Sequence, residues 1–179
     1  MERTGETLRL NVNVSPVEIM SNGFVESLAH ILDKTQFPAN LLELEITERG
    51  MLEDIELSRM RLNTIRKSGV AISLDDFGTG YSSLGYLRKL QFSTIKVDRS
   101  FVQGAAQGSS ESLAIVRAVV AMAKSLEMKT TAEGVETEDE ARLVCRMGCD
   151  RIQGFYFGRP MSSADARALF SNDYSQLRA

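Results

Sequence analysis

The sequence predicts an α/β fold with a parallel sheet, and three observations support this. Short aliphatic, β-branched runs recur along the 179 residues, and stretches with apolar residues at helical spacing lie between them. The chain is also 43% hydrophobic and 25% charged, which is enough for one buried core. Strands that alternate with helices are typical of βα units in a parallel sheet. We therefore expect a single domain over residues 1–179.

Six segments are predicted to be strands. In chain order they are Leu8–Val14, Leu41–Thr47, Ala71–Asp75, Thr94–Val97, Thr130–Glu133 and Arg151–Phe157. A closed eight-stranded barrel typically needs about 200 residues or more, so two of its strands would be absent here. An open doubly wound sheet would fit the length without a deficit. The strand pattern is equally compatible with both architectures.

Capping signals mark several helix ends. Thr137 followed by Glu140 predicts a capping box, and Gly148 fits just beyond the end of the same helix. Gly69 closes an earlier helix in the same way. In contrast, the Gly- and Ser-rich stretch Gln103–Ser110 predicts a surface loop.

Composition excludes several classes of function. The net charge is −3 with both signs interspersed, which argues against a DNA- or RNA-binding protein. A single histidine excludes a histidine metal cluster and leaves little room for a Ser-His-Asp triad. No run of 18 apolar residues encodes a membrane segment, and the first six residues are too polar for a signal-peptide core. We expect a cytoplasmic location.

Alternation along the strands separates an aliphatic face from a polar face. The aliphatic face is expected to pack on the helices. The polar face contains Asn11, Asn13, Glu43, Glu45, Asp75, Lys96, Glu133, Arg151 and Gln153. Several of these residues lie near the carboxyl ends of the strands, where barrels and open α/β sheets place catalytic groups.

The charges at these strand ends are unbalanced. Four carboxylates and one cation would converge there, namely Glu45, Asp75, Asp76 and Glu133 with Lys96. Carboxylates crowded in this way stay charged only with compensation, and a divalent cation with oxygen ligands provides it. We predict Mg²⁺ or Mn²⁺, with Asn13 adding a neutral oxygen. Adjacent aspartates can flank two metals about 3.5–4 Å apart, an arrangement that is used in phosphodiester hydrolysis.

Six strings of the sequence resemble, in family order, the signatures of EAL-domain cyclic-di-GMP phosphodiesterases. They are NVNVS (11–15), LELEITE (42–48), ISLDDFGTGYSSLGYL (72–87), IKVDRSF (95–101), AEGVET (132–137) and QGFYFGRP (153–160). The matched span runs from about Leu8 to Pro160. The resemblance implies a TIM-type (β/α) barrel, here incomplete with about six of its eight strands, that hydrolyses cyclic-di-GMP to linear pGpG.

The resemblance also implies roles for individual residues. The metal ligands of a site for two Mg²⁺ or Mn²⁺ ions would be Asn13, Glu45, Asp75, Asp76 and Glu133. Lys96 would position the attacking water, Glu133 would help to activate it, and Gln153 would bind substrate. Glu48 would anchor the DDFGTG loop (75–80), a region tied to homodimerisation in the family.

The sequence departs from the family pattern at one point. The family opens with a strand that carries Glu-Ala-Leu, whose glutamate binds metal, and this sequence contains no such tripeptide. We therefore expect that the first strand–helix region is lacking, that activity is weak or absent, and that the chain self-associates unless that region is supplied. Two alternatives stay open: a cyclic-di-GMP receptor or protein-interaction module without hydrolysis, and an unrelated metal-dependent phosphatase on an open sheet.

Overall fold

A computed structural model describes residues 8–47, 54–78 and 84–171 of the chain. Within this part, six strands form one parallel sheet whose spatial order follows the chain. The strands are β1 (Leu10–Asn13), β2 (Leu42–Thr47), β3 (Ala71–Phe77), β4 (Thr94–Val97), β5 (Lys129–Ala132) and β6 (Arg151–Ile152).

Helices connect the strands. They are α1 (Pro16–Met20), α2 (Phe24–Thr35), α3 (Ile55–Lys67), α4 (Leu84–Leu90), α5 (Arg99–Ala106), α6 (Ser110–Ser125), α7 (Glu138–Arg146) and α8 (Ser163–Ser171), with a 3₁₀ turn at Ala39–Leu41. None of the described helices is long and apolar enough to cross a bilayer.

The strand order distinguishes the two predicted architectures. A doubly wound sheet reverses its strand order at a switch point, whereas a barrel adds each strand beside the previous one. The order β1 to β6 contains no reversal, and the sheet is curved enough for a side chain of β2 to contact one of β6. Arg151 Nη1 lies 2.9 Å from Glu43 Oε2 across the concave face. The sheet is therefore an incomplete TIM-type barrel, and the open-sheet alternative is wrong.

Both faces of the central strands are buried, but they differ in chemistry. The outer face of β2 to β4 packs under the helices with aliphatic side chains of at most 6% exposure, such as Leu44, Ile72 and Ile95. The inner face carries polar groups, including Glu45 and Lys96, that are just as buried. The predicted alternation is confirmed in these strands, and it directs the charged groups into the concave centre.

The predicted helix ends are confirmed. Thr137 and Glu140 form a capping box at the start of α7. Gly148 follows the end of α7 and Gly69 follows α3, both with φ near +90°, a conformation that favours glycine.

Three predictions about local structure are wrong. The segment Gln103–Ser110 is not a loop, because α5 runs to Ala106 and α6 begins at Ser110. The sixth strand ends at Ile152, and the residues up to Phe157 form a turn instead. On β1 the aliphatic face is not fully covered, since Leu10 is 48% exposed. β1 is an edge strand of the described sheet, and α2 lies beside its aliphatic face.

Candidate functional site

The centre of the concave face is occupied by the ammonium group of Lys96, which extends from β4. Its Nζ lies 2.6 Å from Glu45 Oε2, 3.1 Å from Asp75 Oδ1 and 2.6 Å from Glu133 Oε1. The Lys96 side chain is only 4% exposed. One buried cation therefore joins carboxylates from β2, from β3 and from the residue directly after β5.

The direction and curvature of the sheet explain why these residues meet. The register pairs Glu45 with Ser73 and Thr47 with Asp75, so Asp75 lies one inward-facing position nearer the carboxyl edge than Glu45. Both face the concave side near the carboxyl ends of their strands, and the inward-facing side chains of a curved parallel sheet converge on its centre. The convergence predicted from strand alternation is thus present in the structure.

The two asparagines of β1 occupy different environments. Asn11 donates from Nδ2 to Glu45 Oε1 at 2.8 Å, so it holds the second oxygen of that carboxylate. Asn13, the residue predicted to bind metal, pairs in register with Glu45 but is exposed at the end of β1. Strand alternation placed Asn11 on the polar face but predicted no role for it, and its position two residues before Asn13 was the available signal.

Asp76 enters the site through an irregularity in β3. Simple alternation would turn it away from Asp75, but the register between β3 and β4 shifts between Leu74 and Phe77. Asp76 has φ of +54°, in the left-handed region that aspartate tolerates better than most residues. A bulge of this kind re-aims a side chain, so two successive aspartates reach the same site.

Three of the carboxylates are spaced to hold a metal ion. One oxygen each of Asp75, Asp76 and Glu133 lies within 4.8 Å of the others. Glu45 does not belong to this group, but it is connected to it through Lys96. Three acidic oxygens beside a single ammonium group leave excess negative charge, and hard divalent cations bind such donor sets. The residues of the site therefore fit a divalent metal.

The crowding is reflected in the protonation of the site. Burial raises the pKa of Glu133 to about 7, although the hydrogen bond from Lys96 opposes this shift. Burial also raises the pKa of Asp76, with added repulsion from Asp75 and Asp98. Burial alone would lower the pKa of Lys96, but its hydrogen bonds to Glu133 and Glu45 outweigh burial and raise it. Lys96 therefore stays charged, whereas burial in the metal-free site favours the protonated form of Glu133.

A cavity of about 290 Å³ adjoins the carboxylate group. It is lined by Asp76, Asp98, Arg99, Glu133, Gly134, Glu136, Gln153, Gly154 and Phe155. Gln153, the predicted substrate-binding residue, is therefore close to the site. Glu48, the predicted loop anchor, lies outside the described residues, as do the last two residues of the DDFGTG loop. Asp98 was not predicted from the sequence, although it has the same parity as Lys96 and follows β4 directly.

Comparison with known proteins gives a family match over most of the chain. The family model described as "EAL domain" matches residues 1–160. The bifunctional diguanylate cyclase/cyclic di-GMP phosphodiesterase MucR of Pseudomonas aeruginosa is 43% identical over 150 residues, which is 84% of this chain and 22% of that protein. The chain thus spans about a fifth of the length of this curated relative.

Two solved structures with a similar fold are complexes with cyclic-di-GMP. The complex of PaMucR phosphodiesterase with c-di-GMP is 40% identical and superposes with a TM-score of 0.83, covering 88% of this chain and 64% of that one. The manganese/cyclic-di-GMP complex of Klebsiella pneumoniae BlrP1 is 32% identical with a TM-score of 0.77, covering 85% and 39%.

Proposed function

The chain belongs to the EAL domain family, and from this premise we propose that its site hydrolyses one phosphodiester bond of cyclic-di-GMP to give linear pGpG. One observation carries the proposal above all. Carboxylates from three separate strand ends surround a single lysine at the carboxyl edge of the sheet. The identity of the proposed substrate comes from the relatives, since MucR and BlrP1 are named for cyclic-di-GMP or solved with it.

We propose two Mg²⁺ or Mn²⁺ ions as the cofactors. Asp75, Asp76 and Glu133 would form the central ligand set, and Glu45 and Asn13 would extend it from β2 and β1. When bound, such ions lower the pKa of water and neutralise charge on a phosphoryl group. The manganese in the BlrP1 structure supports a divalent ion.

We propose separate roles in the reaction for three further side chains of the chain or for their second functions. Lys96 stays protonated, so it acts as a fixed positive charge beside the phosphate and cannot accept a proton. Glu133 is proposed to help activate the attacking water, as the family resemblance implies, and in the metal-free site burial raises its pKa to about 7. Gln153 is proposed to hold the nucleotide at the edge of the site.

A specific observation supports a second candidate function. The sequence contains no Glu-Ala-Leu tripeptide, so one acidic ligand of the family is not supplied by these residues. A site with one carboxylate fewer can bind cyclic-di-GMP and metal without efficient cleavage. The second candidate is therefore a cyclic-di-GMP receptor, and we expect turnover by this chain to be weak.

Calorimetry and chromatography together separate the two functions. The chain is titrated with cyclic-di-GMP in Ca²⁺, and the same mixture in Mn²⁺ is then analysed for pGpG. Product in Mn²⁺ that disappears in the Asp75→Asn variant supports the phosphodiesterase, while binding without product supports the receptor. Absence of both binding and product would overturn the proposal.

Self-association is proposed for two surfaces of the chain. The family resemblance points to a homodimer through the region that begins at Asp75, and the outer edge of β1, the first strand of the described sheet, is a second contact surface. Leu10 is exposed on β1 and Ile31 on the adjacent helix α2, so an apolar groove lies beside the outer edge of β1, with which no strand in the described part of the chain pairs. We expect oligomers in size-exclusion chromatography, and a stable monomer at high concentration would contradict this expectation.

A further inference from the structure

A second and larger cavity lies at the amino ends of the strands, opposite the carboxylate group. Its volume is about 710 Å³, and the first residues of β3, β4, β5 and β6 line it. Arg66 from the end of α3 and Arg88 from the end of α4 also line it. Within the described part of the chain, this basal cavity shares no residue with the carboxylate group or with the smaller cavity beside it.

The basal cavity is positively charged, although the chain as a whole has a net charge of −3. Its cationic side chains are those of Arg9, Arg66, Arg88, Lys129 and Arg151. Two carboxylates also line it among the described residues, so the positive charges are three in excess. One of these carboxylates, Glu43, is already paired with Arg151 at 2.9 Å. A concave surface with charge of one sign concentrates ions of the opposite sign, so the basal cavity should attract anions.

The cations at the opening of the basal cavity have hydrogen-bond donors to spare. Arg88 and Lys129 are exposed, and neither makes a hydrogen bond or salt bridge to another residue in the ranges that the structure describes. Arg66 Nη1 donates to Gln91 Oε1 at 2.5 Å, which leaves the other nitrogens of the guanidinium group free to donate. The side-chain amide of Gln91, which also lines the cavity, keeps its own N–H donors.

The turns that precede β4 and β5 are fixed by backbone hydrogen bonds. Ser93 N donates to Ile72 O at 2.8 Å, and Lys129 N donates to Ser93 O at 2.9 Å. Met128 N donates to Ala123 O at 2.9 Å, so the second turn is also held by the end of α6. The walls of the basal cavity therefore exist before any ligand binds, which lowers the entropy cost of binding.

A diphosphate group suits this set of donors. Guanidinium groups bind phosphate oxygens in pairs through their planar fork, and an ammonium group adds a point charge. Two phosphate groups carry about three negative charges or more at neutral pH, which matches the excess of positive charge in the basal cavity.

We propose that the amino-terminal end of the barrel binds a small diphosphate anion, with Arg66, Arg88 and Lys129 as its main contacts. The anion would connect the ends of α3 and α4 to the start of β5, and it would stabilise the folded chain by mass action. The site needs no metal and uses none of the residues of the proposed phosphodiesterase site. It is therefore independent of the proposed function.

The experiment titrates the chain with pyrophosphate by calorimetry in EDTA, so that no metal can hold the anion at the carboxylate group. Arg88→Gln and Lys129→Gln are each expected to weaken binding by about tenfold, because each removes a charge-assisted hydrogen bond. The matched control is Lys124→Gln, which removes an exposed positive charge from the last turn of α6, outside the basal cavity. Citrate, which carries a similar charge on carboxylates, is the comparison anion.

A loss of affinity confined to Arg88→Gln and Lys129→Gln supports the site. An equal loss in Lys124→Gln would reveal a general attraction of anions and overturn the proposal, as would unchanged affinity in the two cavity variants or no binding by the parent. Citrate that binds as tightly as pyrophosphate would overturn the assignment to a diphosphate. If one cavity variant does not fold by circular dichroism, the other decides. None of these outcomes bears on cyclic-di-GMP cleavage, which is measured in Mn²⁺.

Discussion

Two layers of charged side chains lie on the concave face of the sheet, and they differ in composition. The lower layer is one ion pair, in which Arg151 Nη1 lies 2.9 Å from Glu43 Oε2. The upper layer lies nearer the carboxyl ends of the strands; on β2 it begins at Glu45, two residues after Glu43. It combines Lys96 with several carboxylates. The lower layer is electrically balanced, and the upper layer is not.

This difference indicates what each layer does. A balanced pair that bridges β2 and β6 holds the curvature of the sheet and needs no further ligand. Excess carboxylate charge in a buried position costs stability unless a cation binds, and perturbed pKa values of this kind cluster at functional sites. The upper layer is thus the part of the concave face that is suited to chemistry, and the lower layer supports it.

The largest effect is expected from removing the cation of the upper layer. Lys96→Met leaves Glu45, Asp75 and Glu133 without their shared partner, and loss of a buried partner typically costs about 3–5 kcal/mol. We expect the free energy of unfolding in urea without metal to fall by this amount. Mn²⁺ should recover more stability in the variant than in the parent, and equal recovery in both would show that the upper layer does not bind the ion.

The second-largest effect is expected on metal affinity, which should fall when a carboxylate is removed from the upper layer but not when one is removed from the lower layer. Asp75→Asn removes a charged oxygen from the proposed ligand set, and Mn²⁺ affinity measured by calorimetry should fall on the order of 100-fold because affinity follows ligand charge. Glu43→Gln removes the same charge from the lower layer and serves as the control. An equal loss in both variants would contradict the assignment of separate roles.

A smaller loss of stability is expected from breaking the lower layer. Arg151→Met leaves Glu43, only 2% exposed, without its guanidinium partner. Because about a third of the Arg151 side chain is exposed, we expect about 2–3 kcal/mol, less than for a fully buried pair. Mn²⁺ should not restore this loss. The double variant with Glu43→Leu should regain most of it in urea denaturation.

The smallest expected effect is a pH dependence that belongs to the upper layer. Burial raises the pKa of Glu133 to about 7, so the folded protein holds a proton that the unfolded chain releases nearer pH 4.5. This stabilisation is complete below about pH 4.5 and is lost as pH rises to about 7. Urea denaturation of Glu133→Gln without metal should lack this slope, and Glu43→Gln should retain it.

Much of the fold and part of the site followed from local patterns in the chain. Alternation in short strands placed Glu45, Asp75, Lys96 and Glu133 on one face, and the structure brings all four together. Capping signals at Thr137 and Gly148 marked the ends of α7 correctly. These features depend on residues within a few positions of one another, which is why the sequence is sufficient to predict them.

Other features depend on neighbours that are distant in the chain. The bulge that turns Asp76 into the site arises from the pairing of β3 with β4. The pair of Glu43 and Arg151, 108 positions apart, exists only because the sheet curves. The turn after Ile152 is packed against Val135 of another loop. Strand alternation and capping act between near neighbours and could be predicted from the residues, whereas curvature, bulges and loop packing depend on contacts between segments that meet only after folding.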